Sequence, residues 1–513
     1  DILDTNQRPR NKSLRLLNLG PEAESPSRAP SSAQHYGLTL GTSMFKMLNL
    51  LLLLLLHPTT AVKYSARALQ DKITTLPGLD VQPTFQMFSG YIDVSTAQDA
   101  SRQMFYWFVE SQNSPSTDPV FLWTNGGPGC SGLGGFMTEQ GPFRPTANGT
   151  SLTVNKFAWN NIANVVFIEQ PVGVGFSTTT DTGINYGDAQ AAADNHRFVT
   201  GFFKRFASYN QQDFYITSES YGGHYMPTLA LAIVEANDVP NFAGVAVGNP
   251  LTYMPYRNYG MYGTAYGHQI IPKPLFDQYT NANCINTWPT PDACGNITDQ
   301  MDAILGGFDP YALDFPICDA SDSTQMGAHE RHTMRETVLR ANAHHSGSGY
   351  FPSSYSPCAQ SWAASYLDRQ DVRVAIHVDA SVPAQWELCN NAVNQKFNKT
   401  DVNLPMMPVW KEVMIKSNHK LKIMVYSGDD DSVCATLGTQ QWMWSMDMTP
   451  KSGEYWSPWK FDNSEDQGQT AGFITKFEEG MSFATVHGAG HMVPQTRPAQ
   501  SLQLMSMFVS KEW

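Results

Sequence analysis

The sequence predicts an α/β protein, a central and mostly parallel sheet flanked by helices, and three observations carry that prediction. Each is a short apolar, strand-like run that ends in a polar residue of chemical interest. Phe214-Tyr215-Ile216-Thr217 leads into Ser218-Glu219-Ser220-Tyr221-Gly222-Gly223-His224-Tyr225, and a helix-like run from Pro227 to Val234 follows. The run from Leu421 to Tyr426 leads into Ser427-Gly428-Asp429-Asp430-Asp431. The run from Phe483 to Val486 leads into His487-Gly488-Ala489-Gly490-His491-Met492-Val493-Pro494.

A serine on a tight turn between a strand and a helix is the nucleophile elbow of α/β-hydrolases. The turn strains the backbone at the serine, so small residues must flank it. Ser218 stands where the G-x-S-x-G pattern has its first glycine, so the pattern is met in relaxed form. Alone it also fits an ordinary strand-to-helix turn. The order Ser…Asp…His, with acid and base after late strands, belongs to the same fold. Ser220 Oγ would attack a carbonyl carbon, and His491 would take its proton and return it to the leaving amine. An aspartate would hold the imidazole tautomer and stabilise its charged form. Chemistry does not choose among Asp429, Asp430 and Asp431. The same cluster also reads as a solvated turn or a weak cation site, and without further spaced carboxylates no metal is expected. Earlier, Phe121-Leu122-Trp123-Thr124 ends in Asn125-Gly126-Gly127-Pro128-Gly129. These glycines can turn backbone N–H groups toward a developing oxyanion, or simply make a Gly-Pro turn.

Taken in order, five motifs resemble the serine carboxypeptidases, a family with lysosomal cathepsin A-type, vacuolar and plant members. They are Phe121–Ser131, Glu169-Gln170-Pro171-Val172-Gly173-Val174-Gly175-Phe176-Ser177, the Ser220 turn, Gly428-Asp429-Asp430-Asp431 and Gly490-His491-Met492-Val493-Pro494. The resemblance runs from Phe85 to the C-terminus and implies an α/β-hydrolase fold with an inserted, disulfide-stapled cap. It implies Asp431 as the acid, with a structural role for Asp429, and an oxyanion hole from Gly127 and Tyr221. It implies that Asn125, Gly126 and Glu219 bind the free carboxylate of a peptide, with Glu139 paired to Glu219. Trp123 and Met492 are implied at the substrate; on chemistry alone they read equally as packing, and Glu139 as a loop residue. A glutamate can bind a carboxylate only while it keeps a proton, and two packed acids raise one pKa. Peptide hydrolysis is therefore expected to favour acidic pH.

The same resemblance leaves two other functions open: acyl transfer with the same triad, and a protective or scaffolding role beside lysosomal proteins. The complete set of Ser220, Asp431, His491, Glu139 and Glu219 speaks against a purely non-catalytic protein. Homodimers are common in the family, and no residue here specifies one. No cofactor is implied.

Composition agrees. The 513 residues include 15% charged and 12% aromatic residues, which indicates one large core with insertions. A net charge of −13 argues against nucleic-acid binding. Met44 to Asn49 followed by Leu50–Leu56 reads as a secretory signal over 44–61, too short to span a membrane. Residues 1–43 read as a leader absent from the mature protein, and 62–81 leave room for a short propeptide. The core is expected over 82–252 and 366–513, with the cap over 253–365. Seven cysteines fit an oxidising lumen, lysosomal, vacuolar or extracellular. The resemblance leaves Cys434 free and pairs Cys130 with Cys389, Cys284 with Cys294 and Cys318 with Cys358, although sequence alone permits other pairings. Asn148, Asn296 and Asn398 are glycan acceptors in a secreted chain. The polar stretch from Gly327 to Ser356 reads as a surface loop or as a processed linker giving two chains.

Overall fold

The computed structural model describes residues 62–513 apart from 98–99, 240, 286–291, 319–354, 384, 462–467 and 511–513. The leader, the leucine-rich signal and the 327–354 part of the polar stretch therefore lie outside the described residues. Residues 62–81 include a short helix, Ala66–Gln70, capped by Ser65.

One mixed sheet organises the chain. Its main strands are β1 (Met87–Asp93), β2 (Arg102–Val109), β3 (Val120–Thr124), β4 (Asn164–Ile168), β5 (Phe214–Glu219), β6 (Phe242–Gly248), β7 (Lys422–Gly428), β8 (Ser457–Phe461), β9 (Gln469–Lys476) and β10 (Met481–Val486). Their spatial order is β1-β2-β4-β3-β5-β6-β7-β10-β9-β8, and the two-residue strand Thr178–Thr179 pairs with β2. The six strands from β4 to β10 in this order are parallel, and both flanks are antiparallel.

The parallel block is covered on both faces, which is why its strands read as continuous apolar runs. Alternate residues feed opposite layers, as strand geometry requires. Leu122, Ile216, Val425 and Phe483 join one layer with Phe202 of α2 (Asp188–Arg205), Leu229 of α3 (Gly222–Ala236) and Trp410. Phe121, Tyr215, Met424 and Ala484 join the other, with Phe136 of α1 (Leu133–Thr138) and Phe508 near the C-terminus. Burial of each large apolar side chain among them stabilises the fold by about 1.5–3 kcal/mol.

Parallel strands end on a common edge. Thr124 lies beside Ser218, Glu219 beside Gly248, Gly248 beside Tyr426, and Gly428 beside Val486. The residues that follow these ends must therefore meet in one crevice, the usual site in open α/β sheets.

Between β6 and β7 the chain makes α4 (Met254–Gly267), α5 (Lys273–Asn281) and α6 (Asp292–Leu305). These helices share a small core of their own, including Tyr262, Ile271, Leu275, Tyr279 and Met301. The Cys284–Cys294 disulfide lies in that core, and Cys318–Cys358 closes the segment leading to α7 (Ala359–Leu367). Among the described residues no helix is long and apolar enough to cross a membrane.

Candidate active site

Ser220 leaves β5 with φ of 60°, a left-handed conformation that costs a non-glycine residue about 1–3 kcal/mol. Neighbouring backbone holds it there. Ser220 N donates to Gly248 O at 3.0 Å, and Ser220 O accepts from Gly223 N at 2.9 Å and Leu251 N at 2.8 Å. Ser218 fills the first small position because its hydroxyl donates to Thr124 O at 2.6 Å. Helix α3 starts at Gly222, five residues before the apolar run that marks it in the sequence. The turn itself launches the helix, so Gly222 and Gly223 are helical without a helical signal.

The asparagine–glycine loop after β3 lies directly against this turn. A Cβ at Gly126 would sit 2.4 Å from Tyr221 N and 2.8 Å from Ser220 Cβ, so only glycine allows the approach. Gly127 has φ of 109°. Among the described residues neither Gly127 N–H nor Tyr221 N–H donates to a protein acceptor.

His491 Nδ1 lies 2.7 Å from Asp431 Oδ2, and both residues are buried. Asp431 also accepts from Asn249 Nδ2 at 2.8 Å, Val433 N at 2.7 Å and Cys434 N at 3.1 Å. Its position is thus set by β6, through Asn249, as well as by its own loop. Asp429 turns away, accepting from Gly488 N at 2.6 Å with His487 Nδ1 at 2.8 Å, and so ties the two loops together. Asp430 accepts from Asp314 N, and burial pushes its carboxyl up to about 8, with Asp314, Asp429 and Asp431 adding repulsion. His268 Nδ1 is 3.8 Å from Asp314 and 3.9 Å from Asp430. Cys434 is a free, buried thiol; burial, then the charge of Asp431, raises it well above the ordinary range.

On the other side of the cleft stand two buried acids. Asn125 Nδ2 donates to Glu139 Oε1 at 2.9 Å and to Glu219 Oε1 at 2.7 Å. Among the described residues the second oxygen of each carboxyl accepts from no donor. Burial raises both acids, and the charge of Glu139 raises Glu219 further. Two buried carboxyls this close are best satisfied by keeping a proton between them.

Trp123 is a correction. Its ring is fully buried against Trp159 and does not line the cleft; Nε1 donates to Asn125 Oδ1 at 2.9 Å. Gly135 N donates to the same oxygen. The indole therefore fixes which way the Asn125 amide points, so that its NH₂ faces the acids. Asn125, Gly126, Gly127, Glu139, Glu219, Ser220, His491 and Met492 all line one cleft.

Three contributors escaped the sequence reading. Asn249 follows a strand on the common edge, a signal that could have found it. Tyr311 comes from the cap: its carbonyl accepts from His491 N at 2.6 Å, and its ring packs edge-on to the imidazole. Trp386 lines the cleft while Nε1 donates to Glu169 Oε1 at 2.8 Å. Glu169 also accepts from Ser131 Oγ and Phe176 N, each at 2.6 Å, and burial pushes it up to about 7. The Cys130–Cys389 disulfide joins the glycine loop to the chain carrying Trp386. Asn148 and Asn296 are exposed, whereas Asn398 is half-buried and its Nδ2 donates to Asp401 Oδ1.

Comparison with known proteins gives a consistent result. Residues 77–511 match the family Serine carboxypeptidase, Peptidase_S10. The chain is 35% identical to Serine carboxypeptidase-like 33 of Arabidopsis thaliana, over 92% of this chain and 98% of that protein. It is 34% identical to the Lysosomal protective protein of Mus musculus, over 90% of this chain and 98% of that one. In fold it is similar to the crystal structure of Kex1(delta)p, a prohormone-processing carboxypeptidase from Saccharomyces cerevisiae. That match has a TM-score of 0.68 and 20% identity, over 86% of this chain and 96% of that one.

Proposed function

The chain belongs to the serine carboxypeptidase family, and from that premise we propose that it removes single residues from the free C-termini of peptides at acidic pH. Ser220 Oγ attacks the last peptide carbonyl. His491, oriented by Asp431, takes the hydroxyl proton and delivers it to the leaving amine. The N–H groups of Gly127 and Tyr221 stabilise the tetrahedral oxyanion, and water then releases the acyl-enzyme by the reverse proton path. Asn125, Gly126 and Glu219, with Glu139 behind, take the substrate's terminal carboxylate.

The Glu139–Glu219 pair carries this reading. An esterase has no use for two buried acids around one asparagine amide, whereas an exopeptidase needs a neutral donor for a carboxylate. The sign of the pH effect follows. Both carboxyls are raised, so the pair keeps its proton in acid and loses it as pH climbs through the raised range. Ionised, it repels the substrate carboxylate. Blocked esters and amides escape that loss.

The test is mass spectrometry of an N-blocked peptide and its C-terminal amide at about pH 5, with wild type and Ser220→Ala. Stepwise shortening of the free acid alone, absent in the variant, is expected. Internal cleavage, or no Ser220-dependent turnover, overturns the reading. Transfer to an added alcohol faster than hydrolysis would identify an acyltransferase instead. Three disulfides support a location in the secretory pathway. A lysosomal or vacuolar destination suits the acid requirement better than the extracellular space. Sedimentation of the purified protein distinguishes a monomer from the homodimer common among relatives.

A further inference from the structure

The two N–H donors assigned to the oxyanion come from different segments, Gly127 from the loop after β3 and Tyr221 from the turn that opens α3. Any residue supplies a backbone N–H, yet the side chains behind these donors are specific. Tyr221 is fully buried and does not line the cleft. Its ring stacks on His224, with centroids 4.6 Å apart and planes at 8°, and meets Tyr225 and Phe397 edge-on. Its hydroxyl donates to Asp188 Oδ1 at 3.0 Å, and Asp188 Oδ2 lies 2.9 Å from His224 Nδ1. Asp188 is itself buried and opens α2, where a helix N-terminus favours a carboxylate. Its N–H donates to Asp401 Oδ2 at 2.9 Å. Among the described residues no lysine or arginine pairs with it.

The same block reaches the other donor. Tyr225 follows Tyr221 by one helical turn, so the two rings are neighbours on α3. The Tyr225 hydroxyl accepts from Gly129 N at 3.3 Å, two residues beyond Gly127. Asn390 N and Asn394 Nδ2 hold this loop from another segment, at Gly129 O and Pro128 O, whereas Tyr225 ties it to the elbow helix. Apolar residues of similar size would often fill such a space without loss of stability, since a buried carboxylate is costly. The polar atoms add direction. Oxyanion donors act at about 2.7–3.1 Å from the charge, and a misplacement of about 1 Å can cost on the order of 10²-fold.

We propose that Tyr225 and Asp188 are positioning residues for the oxyanion hole, Tyr225 through the loop that carries Gly127 and Asp188 through the Tyr221 side chain. Neither lines the cleft, so each acts through the donor it holds. The inference deepens the carboxypeptidase reading and rests on its oxyanion hole.

The experiment measures inhibition by an N-blocked peptide aldehyde and by the matching alcohol at about pH 5. The aldehyde adds to Ser220 Oγ and places its oxygen in the oxyanion hole; the alcohol does neither. Wild type should bind the aldehyde at least about 10²-fold more tightly. Tyr225→Phe and Tyr221→Phe keep every backbone N–H. In each, the aldehyde preference should fall about tenfold while the alcohol's inhibition constant holds, and peptide kcat should fall about tenfold with KM little changed. A purely structural role would lower the melting temperature and leave the preference alone. A wild-type preference in either variant therefore overturns the inference while the carboxypeptidase reading stands. If wild type itself does not prefer the aldehyde, both fall. Should a phenylalanine variant not fold, Asp188→Asn, which leaves one acceptor oxygen for two donors, is read in the same way.

Discussion

The sheet core and the inserted cap meet at one cleft but are held to it in different ways. The core presents side chains. Ser220, Asn249, Asp431 and His491 leave neighbouring strand ends, and each is fixed by hydrogen bonds to named partners. The cap joins mainly through backbone. Tyr311 O accepts from His491 N, Leu313 N donates to Asp430 O at 3.1 Å, and Ser432 N donates to Pro310 O at 3.0 Å. Side-chain bonds demand particular residues, whereas backbone bonds accept almost any. A cap built this way can change its sequence without releasing the loops that carry Asp431 and His491.

The strongest way to break this contrast is to strike a core side chain. Asp431→Asn is expected to lower kcat on the order of 10⁴-fold, because the amide can favour the wrong imidazole tautomer. Steady-state kinetics beside an unchanged thermal melt checks it, and a loss of only a few-fold would remove Asp431 from the triad.

Stability separates the regions next. Ile216→Ala, in the fully buried β5, should cost about 2–5 kcal/mol in urea unfolding. Replacing Cys284 and Cys294 with serine opens only a short loop in the small cap core, so it should cost about 3 kcal/mol or less and leave the sheet's unfolding midpoint nearly in place. Equal shifts of one shared transition would mean that cap and core unfold as a single unit.

pH sharpens the comparison within the core. Glu169 is raised to about 7 by burial, and such an acid favours the folded state below its unfolded pKa. That contribution fades as pH rises from the ordinary glutamate value and is gone above about 7. The melting temperature should therefore fall between about pH 4.5 and 7, and Glu169→Gln should flatten the fall by on the order of 2–3 kcal/mol. As pH rises through the raised range of the Glu139–Glu219 pair, Glu219→Gln should lower peptide turnover in acid yet blunt its decline with pH. A decline as steep as in wild type would assign it to another group.

The smallest effect belongs to the cap. Tyr311→Ala keeps the carbonyl that receives His491 N–H, so kcat should fall less than about tenfold, or about 1.4 kcal/mol. A loss comparable to that of Asp431→Asn would show that the ring, and not the backbone, holds the histidine.

The same contrast explains what could be read in advance. The central strands are legible because burial on both faces forces continuous apolar runs, and the residues after them are legible because nucleophile, acid and base chemistry accepts few residue types. Asp431 needed more than chemistry, since three aspartates in a row are equivalent until their partners are known. Between the two readings open for Trp123, substrate contact and packing, the residue type could not choose. Its inward direction depends on strand parity and on Trp159, a long-range contact. The start of α3 was missed because a strained serine, not helix propensity, begins it. Tyr311 was hidden for the deepest reason: a bond made by its carbonyl leaves no mark on residue type.

That carbonyl has a consequence for protein engineering. Excising 253–365 to obtain a bare hydrolase would remove the acceptor of the His491 amide. A graft of a relative's cap should place its seams outside Asp309–Phe315, so that this short stretch, with its bonds to His491, Asp430 and Ser432, stays with the recipient.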